Sequence, residues 1–474
     1  MRKIFKKLLC GVLAASAVAL CAGCETRPTS GGGDGEISGE LKVWGINPIC
    51  VPGYDQMLEM DPGNTNAKYT KWLIESFEEK YPDVEISLET AGWELELNKN
   101  IMTAIAAGTQ PDTMATATYT PLLARYGHLA ELTLPEEIEE DLVTTLDDFC
   151  FHQGTRYSVP ITQQCFQIAI NKDVLRKAGI LNDDDTPTTA YADLNPLAPE
   201  TWEDLLEICQ AIKTWANGQS GDNNDIGGFL MCTTSADSHV RALAIMAAAG
   251  GDFADNYGNV YLDSPENIKA YEFCRELWQT TPYGNDGAHD LASLNAMFYD
   301  GLAAYYFLDP ETITPIVQSG GYALKEEDVA YCELPQFEGS SFKSNLSTGC
   351  ILFAVLAEGD NVPAAKAFVE HLLSYEAQKN VFDIIGRIPV RKSVLRDIQE
   401  ENSEWYQIGK NGLDPFLDDS YVINKGIPVF ENNSSLCWDA WNGMWQDVCL
   451  TNENITDLVR ECAQDWVRYL AEED

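Results

Sequence analysis

Three aromatic residues stand where flat rings could do recognition chemistry. Trp44 ends an extended run, Glu40–Gly45. Trp93 falls in the loop after a second run, Val84–Leu88, and Tyr119 follows a third that opens at Pro111–Asp112. A Trp or Tyr face packs against the C–H face of a sugar ring while its polar edge hydrogen-bonds. Gln163, Gln164 and Asp309 add amide and carboxylate groups at predicted crossing or strand-end positions, where they could bond hydroxyls. Flat rings with amides and carboxylates suit neutral polyols. No arginine-rich cluster points to a phosphate or an acidic sugar, although Arg387 could contribute one charge. The competing fate of any single Trp is core packing, and Trp72, Trp202 and Trp278, inside amphipathic helical patterns, are assigned to it.

Bond-making chemistry has less support. The chain contains no HExxH, no GxSxG and no GxxxxGK[ST] run. Its histidines (His128, His152, His239, His289, His371) lie far apart, without paired metal spacing. Asp222–Gly227 superficially resembles a calcium loop but fails at Ile226, and Thr233 stands where the bidentate glutamate belongs. Carboxylate pairs are abundant in so acidic a chain, and nothing singles out one pair. No catalytic residue, metal ligand or cofactor is assigned.

The elements that must position these side chains read as α/β. Glu40–Gly45 is a strand, Tyr69–Lys80 an amphipathic helix, and Val84–Leu88 a second strand. Leu97–Ala107 is a helix stopped by Gly108, and Pro111–Asp112 opens a third strand. That alternation predicts a largely parallel sheet. Further on, Arg156–Pro160 is a short extended run closed by Pro160. Phe166, Ile168 and Ile170 alternate as a half-buried strand, and Lys172–Ala178 is a helix ended by Gly179. Thr201 reads as an N-cap with Asp204 as its capping-box partner, and Asp263–Glu266 caps a helix reaching Trp278. Pro363–Gln378 is one helix and Ile455–Leu470 another.

The order of these pieces resembles one broad family. The run Gly154-Thr-Arg-Tyr-Ser-Val-Pro160 fits G-x-x-Y-x-x-P, and Ala106–Asp112 fits an A-x-G-x-x-P-D turn. Phe298–Tyr305 is similar to F-x-x-G-x-A-A-M, and Gly386–Arg391 fits G-x-x-P-x-R. Together they resemble the family 1 extracellular solute-binding proteins of bacterial ABC importers, which include maltose- and oligosaccharide-binding proteins. The resemblance covers nearly all of residues 41–474. It implies a two-lobed, type II periplasmic-binding-protein-like α/β fold, each lobe a mostly parallel sheet flanked by helices, with the ligand cleft between the lobes. Lobe 1 is then 41–160 plus 338–392, and lobe 2 is 161–337 plus 393–474. Crossings are expected near Ile161–Gln164, Pro335–Gly339 and Pro389–Val394. Asp112 is implied to be structural, while Trp438 and Trp441 lie in the late segment that the family often turns toward the cleft. An oligosaccharide ligand, a permease partner and a monomeric state follow by the same resemblance.

The amino terminus fits export. Arg2, Lys3, Lys6 and Lys7 precede an uncharged apolar run, Leu8–Gly23, shorter than the roughly 20 residues of a comfortable span, as in a signal peptide over residues 1–23. Leu20-Cys-Ala-Gly-Cys24 resembles a lipobox with Cys24 as the lipidated residue; Cys21 departs from its usual aliphatic. Residues 24–40 form a polar, Gly-rich linker with a reach on the order of 20 Å. Lipidated anchoring to the cell membrane of a Gram-positive bacterium is the expectation.

The 474 residues, 45% hydrophobic, can build two domains. A net charge of −43 excludes a nucleic-acid partner by repulsion of phosphate. It also keeps open an alternative on the same fold, a polyamine or other cationic solute met by converging carboxylates. A surface glycan-degrading enzyme is a further rival and requires two close carboxylates. Of fourteen cysteines, Cys10 and Cys21 leave with the leader and Cys24 takes lipid, so eleven, an odd number, remain. Cys165, Cys209, Cys274 and Cys350 sit in apolar patterns, and most of the set reads as buried thiols, with one disulfide, Cys437–Cys449, left open.

Overall fold

The structure, a computed structural model, describes residues 37–471 except 91, 93, 117–119, 145, 164, 235–237, 256–257, 284–286, 288, 309–319, 348–350, 402–421 and 424–433. The leader, Cys24, Trp93, Tyr119, Gln164 and Asp309 therefore lie outside the described residues. Ser38–Asp474 is one compact unit, apart from Met1–Ile37, and is considered by itself.

The chain forms β1 (Gly39–Gly45), β2 (Val84–Thr90), β3 (Thr113–Ala115), a small hairpin of β4 (Phe151–His152) and β5 (Thr155–Arg156), and β6 (Ser158–Thr162). It continues with β7 (Cys165–Asn171), β8 (Gly227–Leu230), β9 (Ala303–Leu308), β10 (Val329–Cys332), β11 (Ser344–Ser347), β12 (Ile351–Val355) and β13 (Val422–Ile423). Two separate sheets result. The first has the order β2-β1-β3-β12-β6, and the second β13-β11-β7-β9-β8, with β10 pairing β7. β1 runs parallel to β2 and β3, as the βαβ spacing dictates, while β12 enters antiparallel between β3 and β6.

Each sheet is covered on both faces. In the first, Phe77 of helix Thr65–Lys80 meets Phe368 of helix Val362–Leu372 with ring centroids 5.2 Å apart. Another cluster gathers Leu97, Ile101, Met114, Leu123 and Ala354. In the second sheet, alternation sends Ile168, Ile170, Tyr305 and Phe307 to one apolar cluster and Ala169, Tyr306 and Leu308 to another. β7 is thus buried on both faces at Ile168–Ile170, not half-buried as its period-2 pattern suggests, because helices cover both sides.

Asp112 is a structural carboxylate. Its oxygens accept from Lys42 N at 2.8 Å and Asn361 N at 2.6 Å, fastening β1 to the start of helix Val362–Leu372. Pro160 does not close its strand but sits inside β6, an outer strand of the first sheet, where a missing N–H is tolerated. Residues 363–378 are two helices, Val362–Leu372 and Tyr375–Asp383, the second capped by Ser374. The caps Thr201/Asp204 and Ser264 form as their spacing predicts.

Strand pairing relocates one boundary. β11 pairs with β7, so the chain remains in the second sheet to Ser347 and returns between Ser347 and Ile351, later than Pro335–Gly339. Helix Lys392–Glu401 packs on helix Tyr375–Asp383, and β13 pairs with β11. Cys437 and Cys449 are free and buried. They stand on one helix, Ser434–Leu450, roughly 18 Å apart at 1.5 Å per residue, where no disulfide can close.

Thr201→Ala removes the side-chain acceptor for Asp204 N and with it the capping box. It is expected to lower stability by about 1 kcal/mol, read as a drop in denaturation midpoint with unchanged slope.

Candidate functional site

Strand direction defines the site. The first passage leaves the C-terminal end of β6 and enters the N-terminal end of β7. β9 and β11 are antiparallel to β7, and β8 is parallel to β9, so their C-terminal ends share the edge where β7 begins. β1, β2 and β3 point the same way as β6 and end on its side of the first sheet. Both sheets therefore turn the carboxyl ends of their parallel strands toward the passages, the position where open α/β sheets take ligands.

On the first sheet, Trp44 is half-buried against the Leu97–Met114 cluster, and its Nε1 donates to Glu89 Oε2 at 3.1 Å on the adjacent strand. A chain of buried hydroxyls lies beside the β3 exit. Thr116 Oγ1 and Thr120 Oγ1 are 2.7 Å apart, and Thr120 Oγ1 donates to Ser158 Oγ at 3.1 Å. Sequence reasoning passed over these three, although Thr116 and Thr120 bracket the segment that holds Tyr119.

At the passage itself Gln163 is fully buried. Its backbone N–H donates to Ile388 O at 3.0 Å, and its Nε2 to Pro389 O at 2.8 Å. Gln378, unflagged by sequence and equally buried, donates Nε2 to Ile161 O at 3.1 Å and to Leu372 O at 3.0 Å, and its Oε1 accepts from Val390 N at 2.8 Å. Arg391 in the same turn donates Nε to Asp141 Oδ2 at 2.6 Å, and Ser393 N donates to Asp141 Oδ1 at 2.8 Å.

On the second sheet, helix Ser434–Leu450 is tied to the β8 exit, Trp445 Nε1 donating to Cys232 O at 3.0 Å and Gln446 Nε2 to Thr233 O at 3.2 Å. Helix Ser238–Ala248 starts just beyond that exit and carries His239 and the buried Arg241, whose Cζ lies 5.9 Å from the centre of the Tyr306 ring. Trp438 is half-buried and stacked on the His239 imidazole, centroids 4.6 Å apart with 25° between planes. Trp441 is a core residue, not a cleft one. It is fully buried, its Nε1 donates to Tyr271 Oη at 3.0 Å, and it stacks on Trp445. Three positions along a helix rotate a side chain by most of a turn, but Trp441 and Trp438 both meet the aromatic cluster around Phe253, Trp438 at its margin.

Burial pushes the His239 imidazole down to about 4, and burial with the nearby Lys80 charge does the same to His371, which shares a 2.9 Å hydrogen bond with Ser76 Oγ. Among the described residues, no group of three or more His, Cys, Asp or Glu side chains is placed to hold a metal ion, and no helix is long and apolar enough to cross a membrane.

Residues 72–407 match the family described as bacterial extracellular solute-binding protein. An arabinooligosaccharide-binding protein of Halalkalibacterium halodurans is 21% identical over 411 residues, spanning 83% of this chain and 84% of that one. Among solved structures, the GacH receptor of Streptomyces glaucescens, determined unliganded and with acarbose, superposes with a TM-score of 0.67 at 18% identity over 93% of this chain and 100% of its own. The cyclic α-maltosyl-1,6-maltose binding protein of Arthrobacter globiformis gives 0.68 at 18%, over 91% and 99%. At these identities the structural likeness speaks to the two-lobed fold.

Both histidines are held below their ordinary value of 6.5, so the unfolded chain binds more protons between pH 6.5 and 4. Their stabilising contribution is complete above pH 6.5 and is lost as the pH falls toward 4. His239→Gln is expected to shrink the stability difference between pH 7 and pH 4.5 by on the order of 2 kcal/mol. Urea unfolding at the two pH values measures it; an unchanged difference contradicts the burial of a neutral imidazole.

Proposed function

This chain belongs to the bacterial extracellular solute-binding proteins, and on that premise we propose that it captures an oligosaccharide between its two lobes and delivers it to the permease of an ABC importer. The observation that carries this reading is the convergence of both sets of parallel strand ends on the passages between sheets. The carbohydrate class is supported by the arabinooligosaccharide-binding relative and by the sugar-binding proteins that share the fold. Such a protein transforms nothing: affinity comes from groups placed in advance on the two lobes, and specificity from the arrangement they reach on closing.

In this reading Trp44 and Trp438 supply stacking surfaces, with Trp93 and Tyr119 in the same role. Gln164 and Asp309 bond hydroxyls, while Gln163, which sequence alone also offered as a hydroxyl-bonding group, is fully buried on Pro389 O and braces the passage instead. The leader over residues 1–23, lipidation of Cys24 and the 24–40 linker hang a monomeric binding unit from the cell surface, as a Gram-positive importer needs. The net charge of −43 makes a polyamine the strongest rival ligand, so salt dependence belongs in the test.

Titration calorimetry on the full chain with a panel of plant and host oligosaccharides, and with spermidine at low and high salt, decides between them. Micromolar or tighter binding of one glycan class, recovered intact, is expected. Heat from spermidine alone, fading with salt, would replace the sugar by a cation, and shortened glycans would make the protein an enzyme. Within the glycan reading, Trp44→Ala weakens binding about tenfold or more with little change in folding. Trp441→Ala instead costs about 3–5 kcal/mol of stability, because it empties a core site.

A further inference from the structure

The two buried glutamines at the passage differ in one respect. Gln378 uses its amide completely: both acceptors of its Nε2 and the donor to its Oε1 belong to the first lobe's own backbone. Gln163 uses only half. Its Nε2 donates to Pro389 O, whereas its Oε1, also buried, meets no donor. Turning the amide over offers no relief, since it would set Oε1 against the Pro389 carbonyl, acceptor against acceptor. A buried acceptor left without a donor costs free energy that any arrangement supplying one would recover. This acceptor lies on the first passage, between the last residue of β6 and the first of β7, where a change in lobe arrangement must alter the backbone.

We propose that Gln163 is a positioning residue for lobe closure: its Nε2 holds the outgoing passage against the Ile388–Pro389 turn of the first lobe, and its Oε1 gains a donor in the other arrangement of the lobes, which it thereby favours. The donor is an N–H or O–H of the chain or of a trapped water. The inference rests on the capture reading above, and its test separates the two.

Gln163→Met keeps the side-chain length and removes both polar groups, and Gln378→Met removes only the saturated amide. The measurements are the radius of gyration by small-angle scattering with and without the glycan found by calorimetry, the Kd, and the thermal midpoint, all on the full chain. Gln163→Met is expected to raise Kd about tenfold or more and to diminish the contraction on binding, while Gln378→Met lowers the midpoint and leaves the contraction intact. If Gln163→Met lowers the midpoint as Gln378→Met does, with Kd and contraction at wild-type values, Gln163 is merely structural and the proposal is overturned. Should wild type bind no glycan, the capture reading fails separately. The unliganded radius then decides, with a larger value in Gln163→Met expected and an identical one fatal. If that variant does not fold, the side-chain amide nitrogen resonance of wild-type Gln163 is expected to move on glycan addition while that of Gln378 stays; a stationary Gln163 signal overturns the proposal.

Discussion

Gln163 meets Ile388 and Pro389 through both its backbone and its side chain, and Gln378 joins Ile161 to Val390 a few ångströms away. Two stretches far apart in sequence become a single element at this point. The constraint behind it is general: a backbone that leaves one sheet for another gives up its ladder partners, and buried N–H and C=O groups must find others. Here side-chain amides supply them. The remainder of the architecture follows, because the direction in which the chain enters β7 fixes which strand ends of the second sheet face the first.

The two sheets hold separate apolar cores, each closed by helices on both faces. Neither core depends on side chains contributed across the passages, so the lobes can move as bodies while their interiors stay packed. The tryptophans obey the same division. Trp202, Trp278, Trp441, Trp445 and Trp466 are all enclosed, each a large share of the second lobe's packing, whereas Trp44, Trp215, Trp438 and Trp72, the last assigned by its helical pattern to the core, remain half-buried.

Much of this was legible in the residues, for local reasons. The Thr201–Asp204 box and the Ser264-Pro265 start depend on contacts within one turn, and both form. Strands β1 to β3 followed from spacing. What escaped depended on partners distant in sequence. The return to the first sheet was placed too early because β11 is a strand only by virtue of β7, and β7 was read as one-sided because its second cover, helix Leu291–Tyr299, lies more than a hundred residues away. Trp438 and Trp441 read alike in sequence and differ in the structure, since Tyr271 and Trp445 close around only one of them. Gln378 gave no sign at all: a polar residue in an amphipathic helix looks solvated until the passage it serves is in place.

Among the described residues nine cysteines are buried outside any disulfide, and burial holds those such as Cys209, Cys274 and Cys462 well above their ordinary acidity range. Exchange with oxidants proceeds through the thiolate, so the folded chain offers them almost nothing to attack. The exposure is therefore temporal. Until the second lobe has closed, sulfurs such as Cys209, Cys274 and Cys462 are accessible, and nothing yet covers them. For this protein the hazard of an oxidising exterior is a race, settled by how fast the core shuts rather than by how stable it is once shut.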